Sequence, residues 1–118
     1  MKLLQFFFIA VLHVFFGRSA ETAELIIFES ETCEWCEVWD EEIGISYNKS
    51  KEGRIAPLRR VDIDGDLPKD LEHLEGLLYT PTFVVFDNGQ ELGRITGYPG
   101  EEFFWHFLNE IIIKLKLN

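Results

Sequence analysis

The only two cysteines of the chain, Cys33 and Cys36, directly follow a short apolar stretch. That stretch, Leu25–Phe28, predicts a buried strand because all four of its residues are apolar. Trp35 and Trp39 then recur at helical spacing, which predicts a helix from Glu34 to about Ile43. A Cys-x-x-Cys pair at a helix start brings two sulfurs within bonding distance. A strand that runs into such a pair is the context that a redox motif needs.

The chemistry of a thiol pair depends on where it lies on the helix. Unpaired backbone N–H groups and the positive end of the helix dipole favour the thiolate, which is the nucleophile in disulfide exchange. The alternatives are an inert structural disulfide and half of a zinc site. A zinc site needs two further ligands, and the chain has no second cysteine pair. The residues therefore favour a redox-active pair.

Length and charge restrict the class of protein. A chain of 118 residues fits one domain, and 47% hydrophobic residues are enough for a normal core. Acidic residues outnumber basic ones by 21 to 11, which disfavours a nucleic-acid partner. We expect a monomer with no cofactor and no metal.

Residues 1–20 differ from the rest of the chain and predict a secretory signal peptide. Lys2 is followed by the almost wholly apolar run Leu3–Phe16 and then by small residues. Cleavage is expected after residue 19, 20 or 23, so that the domain occupies residues 21–118. An uncleaved membrane anchor is the alternative, but the run is shorter than the ~20 residues that a span requires. Export would place the cysteines in an oxidising compartment.

Hydrophobic patterning divides the remaining chain into further elements. The prediction is a strand over 56–63, a helix over 68–77, a strand over 83–86, a strand over 91–96 and a helix over 101–115. The helix over 68–77 is predicted from Leu71, Leu74 and Leu78, which would share one face. Asn88-Gly89 predicts a tight hairpin turn, and residues 46–53 are either a further helical turn or a loop. The predicted order is βαβαββα.

This order resembles the thioredoxin superfamily, with Cys-x-x-Cys at the first helix and Thr80-Pro81 before the third strand. The resemblance covers residues 24–115 and implies an α/β thioredoxin-like fold, in which helices flank a central mixed sheet. Two stretches, 56–63 and 97–105, look like the periplasmic thioredoxins linked to bacterial sulfur oxidation. The resemblance thus implies a periplasmic thiol–disulfide oxidoreductase that reduces a disulfide-containing protein of that system. Its implied electron donor is a membrane thiol transporter.

The resemblance also implies roles for individual residues. Cys33 would be the exposed attacking thiol, and Cys36 the buried resolving thiol. Pro81 would be a cis-proline facing the disulfide, while the backbone of Thr80 pairs with an extended substrate segment. From the residues alone, an ordinary trans proline remains open. Gly97 would lie on a loop beside the site, where a side chain would block the substrate.

Two aromatic residues are candidates for substrate contact. Trp35 lies between the cysteines and is expected to form an exposed apolar patch for a partner peptide. Tyr98 either extends that patch or packs within its own loop.

The chain departs from the family at two places. Ile27 stands where thioredoxins usually carry a buried aspartate, and Glu29 or Glu31 would either replace that base or be solvated. The dipeptide between the cysteines is Glu-Trp instead of the common Gly-Pro. With Glu31, Glu34 and Glu37 near the thiols, negative charge raises the thiol pKa. This favours a reductant or an isomerase over a strong oxidant.

Three other functions remain open at this point. The missing base is compatible with a non-catalytic redox-sensing or regulatory binding module that keeps the fold. Glutaredoxin is the nearest enzyme alternative, but it would need a basic residue near the thiols and Val-Pro in place of Thr80-Pro81. Copper handling would use Cys33, Cys36 and a histidine, although His106 is predicted to face solvent.

Overall fold

The computed structural model describes residues 23–117. The predicted signal peptide at residues 1–20 lies outside the described residues, so its boundary stays a prediction. None of the helices between residues 23 and 117 combines the length and the apolar character that a membrane span requires.

Four strands form one mixed sheet in the order β2-β1-β3-β4. The strands are β1 (Glu24–Glu29), β2 (Leu58–Asp62), β3 (Thr82–Asp87) and β4 (Gln90–Thr96). The helices are α1 (Glu34–Glu42), α2 (Lys51–Ile55) and α3 (Glu101–Leu117). β1 pairs in parallel with β2, whereas β3 is antiparallel to both β1 and β4. The predicted α/β architecture with a central mixed sheet is confirmed.

The two faces of the sheet bury different clusters, because side chains alternate along a strand. Leu25 and Ile27 of β1 face the larger cluster, which includes side chains of α1 and α3. Ile26 and Phe28 face the opposite cluster, which includes Leu71. Since β1 is apolar on both faces, it is a central strand of the sheet, and this explains its continuous apolar run.

The turn between β3 and β4 has the backbone predicted from Asn-Gly. Asn88 has φ of 53° and Gly89 has φ of 79°. Positive φ at both central residues matches the twist of the two flanking strands. The hairpin therefore follows from local sequence.

The helix predicted over residues 68–77 is wrong. Only a 3-10 turn, Lys69–Leu71, forms there, and Gly76 has φ of 71°, which no α-helix contains. Leu71 is buried and Leu74 packs against the same cluster, so their contact with the sheet is correct. Leu78, which was expected on that face, is 78% exposed. The leucines reach the core from an irregular chain that passes over it.

Residues 46–53, for which the sequence allowed either a helical turn or a loop, are largely helical. A 3-10 helix spans Gly44–Lys49, and α2 begins where the Ser50 hydroxyl accepts a hydrogen bond from the Gly53 N–H. A Cβ on Gly53 would lie 2.0 Å from the carbonyl oxygen of Tyr47. Glycine is therefore required at this position, because the obstacle is backbone and cannot rotate away.

Candidate active site

One end of the sheet gathers the residues that the sequence singled out. In the register, Glu29 of β1 pairs with Asp62 of β2, and Phe28 pairs with Thr82 of β3. Thr82 in turn pairs with Thr96 of β4. The segment that leaves β1 toward the cysteines therefore meets two other segments at this end of the sheet: the one that enters β3 and the one that leaves β4.

The two cysteines are joined at the start of α1. Cys33 is the residue that caps the helix, and it forms a disulfide with Cys36 across a Cα–Cα distance of 5.2 Å. The backbone N–H of Cys36 donates a hydrogen bond of 3.0 Å to the sulfur of Cys33. This N–H is one of the donors that a helix start leaves without a backbone partner. In the reduced protein the same donor would favour a thiolate on Cys33.

Burial distinguishes the two sulfurs only slightly in this disulfide form. Cys33 is 8% exposed and Cys36 is 5% exposed, so both are buried. The order agrees with an attacking Cys33, but the expected contrast between an exposed and a buried thiol is small. The assignment of the two roles stays a prediction.

Thr80, Pro81 and Gly97 lie together beside the end of the sheet. The Thr80–Pro81 peptide bond is cis, and Pro81 is buried. The N–H of Gly97 donates a hydrogen bond of 2.7 Å to the carbonyl oxygen of Pro81. Gly97 has φ of 80°, a conformation that favours glycine, and apart from its two chain neighbours no residue has a heavy atom within 4 Å of the position its Cβ would occupy. A side chain at this position would therefore project into open space, and the expectation that it would block the substrate stays a prediction.

Exposed apolar side chains stand close in sequence to the thiols and to Pro81. Trp35 is 61% exposed, as its predicted contact with a partner peptide requires. Leu78 and Tyr79 are also mostly exposed and lead directly into Thr80. The sequence analysis missed Leu78 because it placed this residue on the buried face of the helix predicted over 68–77, and it did not consider Tyr79. Their position before a Thr-Pro was the available signal.

Tyr98 contacts other residues of the fold through both its ring and its hydroxyl. Its ring lies 6.3 Å from the ring of Phe104, and its hydroxyl donates a hydrogen bond of 2.5 Å to Glu42. Desolvation raises the pKa of Tyr98, and the neighbouring Glu42 carboxylate raises it further. Tyr98 thus packs within the fold and joins its loop to the end of α1. Its role in substrate binding stays a prediction.

A cleft of about 330 Å³, here named the disulfide cleft, lies beside the two cysteines. Its wall includes five carboxylate residues and one arginine: Glu29, Glu31, Glu37, Asp40, Asp62 and Arg60. The guanidinium of Arg60 forms ion pairs with Asp40 and, at 3.1 Å, with Glu29. Among the described residues, the wall of the cleft is therefore acidic, and its one cationic side chain, Arg60, is held in ion pairs.

The position of the missing base is apolar in the structure. Ile27 is fully buried in the larger core cluster, so no carboxylate lies at this point of β1. Of the two proposed substitutes, Glu29 lines the cleft but is paired with Arg60. Glu31 is exposed. Asp40 was not considered from the sequence, although it follows Cys36 by four residues and so shares its helix face.

In the part of the chain that the structure describes, neither His73 nor His106 joins the thiols in a metal site. His106 is exposed, as predicted, and pairs with Glu110 at 3.0 Å. Among residues 23–117, no group of three or more His, Cys, Asp or Glu side chains is arranged to hold a metal ion.

Comparison with solved structures shows what this chain is similar to. The chain is similar to the periplasmic thioredoxin SoxS from Paracoccus pantotrophus, whose crystal structure is of the reduced form. The two are 42% identical, the TM-score is 0.72, and the match covers 76% of this chain and 95% of that chain. No protein-family model matches the chain. No curated protein matches it either.

Proposed function

We propose that this chain, which belongs to the thioredoxin family and carries a thioredoxin-like redox centre, reduces disulfide bonds in partner proteins of the periplasm. One observation supports the proposal above all others. Cys33 caps α1 and accepts the N–H of Cys36 at the end of the sheet where Pro81 and Gly97 meet. The periplasmic location is proposed from the predicted signal peptide and from the location of SoxS.

The proposed reaction has two exchange steps. The Cys33 thiolate attacks one sulfur of the substrate disulfide, and the other substrate sulfur leaves as a thiolate. The Cys36 thiolate then attacks the sulfur of Cys33, which releases the second substrate thiolate. Two electrons pass to the substrate, and the Cys33–Cys36 disulfide remains. A membrane thiol transporter is the proposed source of electrons for the next cycle.

The proposed substrate is an extended segment of a partner protein. Trp35, Leu78 and Tyr79 offer exposed apolar surface to such a segment, and Thr80 offers its backbone. A protein of bacterial sulfur oxidation is the proposed class of partner, from the resemblance in residues 56–63 and 97–105. The chain is proposed to act as a monomer.

Catalysed reduction of insulin tests this function. With dithiothreitol as electron source, the protein should accelerate precipitation of the insulin B chain well above the dithiothreitol background. The alternative function, a redox-sensing module without turnover, is favoured by the apolar Ile27 position. A rate equal to the background would support that module and contradict the proposal.

The direction of exchange is tested by the reduction potential. Glu31, Glu34 and Glu37 are all exposed around the thiols, and their charge opposes a stable thiolate. Strong oxidants depend on a very stable thiolate, so the potential should be closer to that of thioredoxin. Equilibration with glutathione should give a value below about −150 mV. A higher value would mean that the protein oxidises its partners.

A further inference from the structure

An irregular segment, residues 63–79, connects β2 to β3 across one face of the sheet and is here named the strap. Its one regular element is the 3-10 turn Lys69–Leu71. Four leucines hold it on the hydrophobic cluster of that face: Leu67, Leu71, Leu74 and Leu77. The strap ends at Leu78 and Tyr79, which are mostly exposed and lead directly to Thr80. Since the strap has no ladder of backbone hydrogen bonds, its shape depends on the side chains that contact it.

Two arginines attach the strap at opposite edges of the sheet. At the β2 edge, Arg59 donates two hydrogen bonds of 2.8 and 3.0 Å to the carboxylate of Asp70. At the β4 edge, Nη1 of Arg94 donates to the carbonyl oxygen of Gly76 at 3.4 Å. Within residues 23–117, this is the one hydrogen bond that joins the strap to β4. It lies two residues before Leu78, at the end of the strap that approaches the active site.

A bulge in β4 directs Arg94 toward the strap. The register of β3 with β4 leaves Leu92 without a partner. Residues three apart on a regular strand point to opposite faces, but the extra residue brings Glu91 and Arg94 to the same face. That face is the one that the strap covers, because Val84, the partner of Arg94 in the register, belongs to the cluster beneath the strap.

Glu91 fixes the orientation of the Arg94 guanidinium. Its carboxylate accepts hydrogen bonds from Nε at 2.6 Å and from Nη2 at 2.7 Å. Such a bidentate pair sets the plane of the guanidinium and leaves Nη1 free to bind Gly76. This nitrogen lies 3.7 Å from the position that a Cβ on Gly76 would occupy, and Gly76 has φ of 71°. The backbone of the strap therefore turns directly against a fixed side chain.

Elsewhere the strap stands away from β4. A cleft of about 480 Å³ is lined by residues 73–75 of the strap, by residues 89–91 of the hairpin and by Arg94. On the other side of Leu78, the Thr82 hydroxyl donates a hydrogen bond of 2.6 Å to the carbonyl oxygen of Tyr79. The end of the strap is thus attached on both sides, by Arg94 at Gly76 and by Thr82 at Tyr79.

We propose that Arg94, held by Glu91 across the bulge in β4, is a positioning residue that places Leu78 and Tyr79 for contact with the substrate segment. This inference rests on the proposed function, in which these two side chains contact an extended segment of a partner protein. Arg94 does not line the disulfide cleft. Its loss should therefore weaken binding of the segment and leave the chemistry of exchange unchanged.

Two disulfide probes separate binding from chemistry. One is a short peptide with a central cysteine between two leucines, joined through a disulfide to thionitrobenzoate. The other is dithiobis(nitrobenzoate), which carries no peptide. Single-turnover reaction of the reduced protein is followed by the colour of the released thionitrobenzoate. Arg94→Met should raise the peptide concentration that gives half of the maximal rate by about three- to tenfold, because one hydrogen bond of a charged donor is lost. The maximal rate and the rate with dithiobis(nitrobenzoate) should stay the same.

Arg59→Met is the matched control. It removes the same charge and the corresponding attachment at the far edge of the sheet, where Asp70 is held. It should leave the half-maximal peptide concentration unchanged, whereas Arg94→Lys keeps a cationic donor and should recover most of the affinity. An unchanged value in Arg94→Met, or an equal rise in Arg59→Met, would overturn the inference.

Proteolysis tests the attachment without any thiol reaction. Cleavage by chymotrypsin after Leu77, Leu78 or Tyr79, located by mass spectrometry, reports how often the end of the strap opens. Arg94→Met should accelerate these cuts about three- to tenfold, and Arg59→Met should not. Glu91→Gln, which loosens the guanidinium, should act in the same direction if Arg94→Met fails to fold. Cleavage at the wild-type rate in the folded variants would overturn the inference, whereas a wild-type protein that reacts with neither probe would contradict the proposed function.

Discussion

Serine at position 33 should lower catalysed insulin reduction by at least about a thousandfold, to the dithiothreitol background, because the attacking nucleophile is gone. Cys33 caps α1, and its sulfur accepts the N–H of Cys36. A hydroxyl can accept the same hydrogen bond, so the helix start should persist. The measurement is the rate of insulin B-chain precipitation, with circular dichroism as the check on folding.

Cys36→Ser is the comparison for this prediction. It should also lose turnover, but it should still react once with a disulfide because Cys33 is intact. If Cys33→Ser retained single-turnover attack while Cys36→Ser lost it, the two assigned roles would have to be exchanged.

Alanine in place of Trp39 should lower the free energy of unfolding by about 3–5 kcal/mol. Trp39 is fully buried between α1 and the sheet. Its ring centroid lies 5.1 Å from that of Phe83, 5.8 Å from that of Phe104 and 6.5 Å from that of Tyr47. Truncation would leave a cavity at the centre of this aromatic cluster. Urea unfolding followed by circular dichroism measures the loss.

Trp35→Ala is the matched control, four residues earlier on the same helix. Trp35 is 61% exposed, so its truncation should change the free energy of unfolding by no more than about 0.5 kcal/mol. It should instead weaken the reaction with protein disulfides. Equal stability losses in Trp35→Ala and Trp39→Ala would contradict this assignment of the two tryptophans.

The parts of the fold that sequence predicted are those with strong local signals. The apolar run Leu25–Phe28 identified a strand buried on both faces, and Asn88-Gly89 identified the hairpin turn. The final helix was found over nearly its full length, but Phe103 and Phe107, which continue its apolar pattern, are 57% and 40% exposed. Periodicity therefore located the helix better than it defined the width of its buried face.

The segment over residues 68–77 shows why spacing alone is insufficient. Leu71 and Leu74 do reach the core, but three-residue spacing is also compatible with an irregular chain that lies flat on the sheet. Gly76, with its positive φ, ends any helical path before the exposed Leu78. The conformation of residues 68–77 depends on tertiary contacts, which a local stretch of sequence does not reveal.

The cleft beside the thiols could be predicted only in part. The cysteines and their helix follow from sequence, but Asp40 and Arg60 come from α1 and β2 and meet only in the folded protein. The alternation of β2 put Arg60 on the same face as Leu58, and helical spacing put Asp40 beside Cys36. Both signals were present, yet neither revealed the pairing without the strand order.

The central claim is that Cys33 attacks substrate disulfides and that Cys36 resolves the mixed disulfide. The most direct measurement is mass spectrometry of disulfide-linked adducts formed by Cys36→Ser, with Cys33→Ser as the control, in a periplasmic fraction. The account predicts a linked partner attached to Cys33 in the first variant and none in the second. Absence of any adduct in both variants, or an adduct formed only through Cys36, would contradict it.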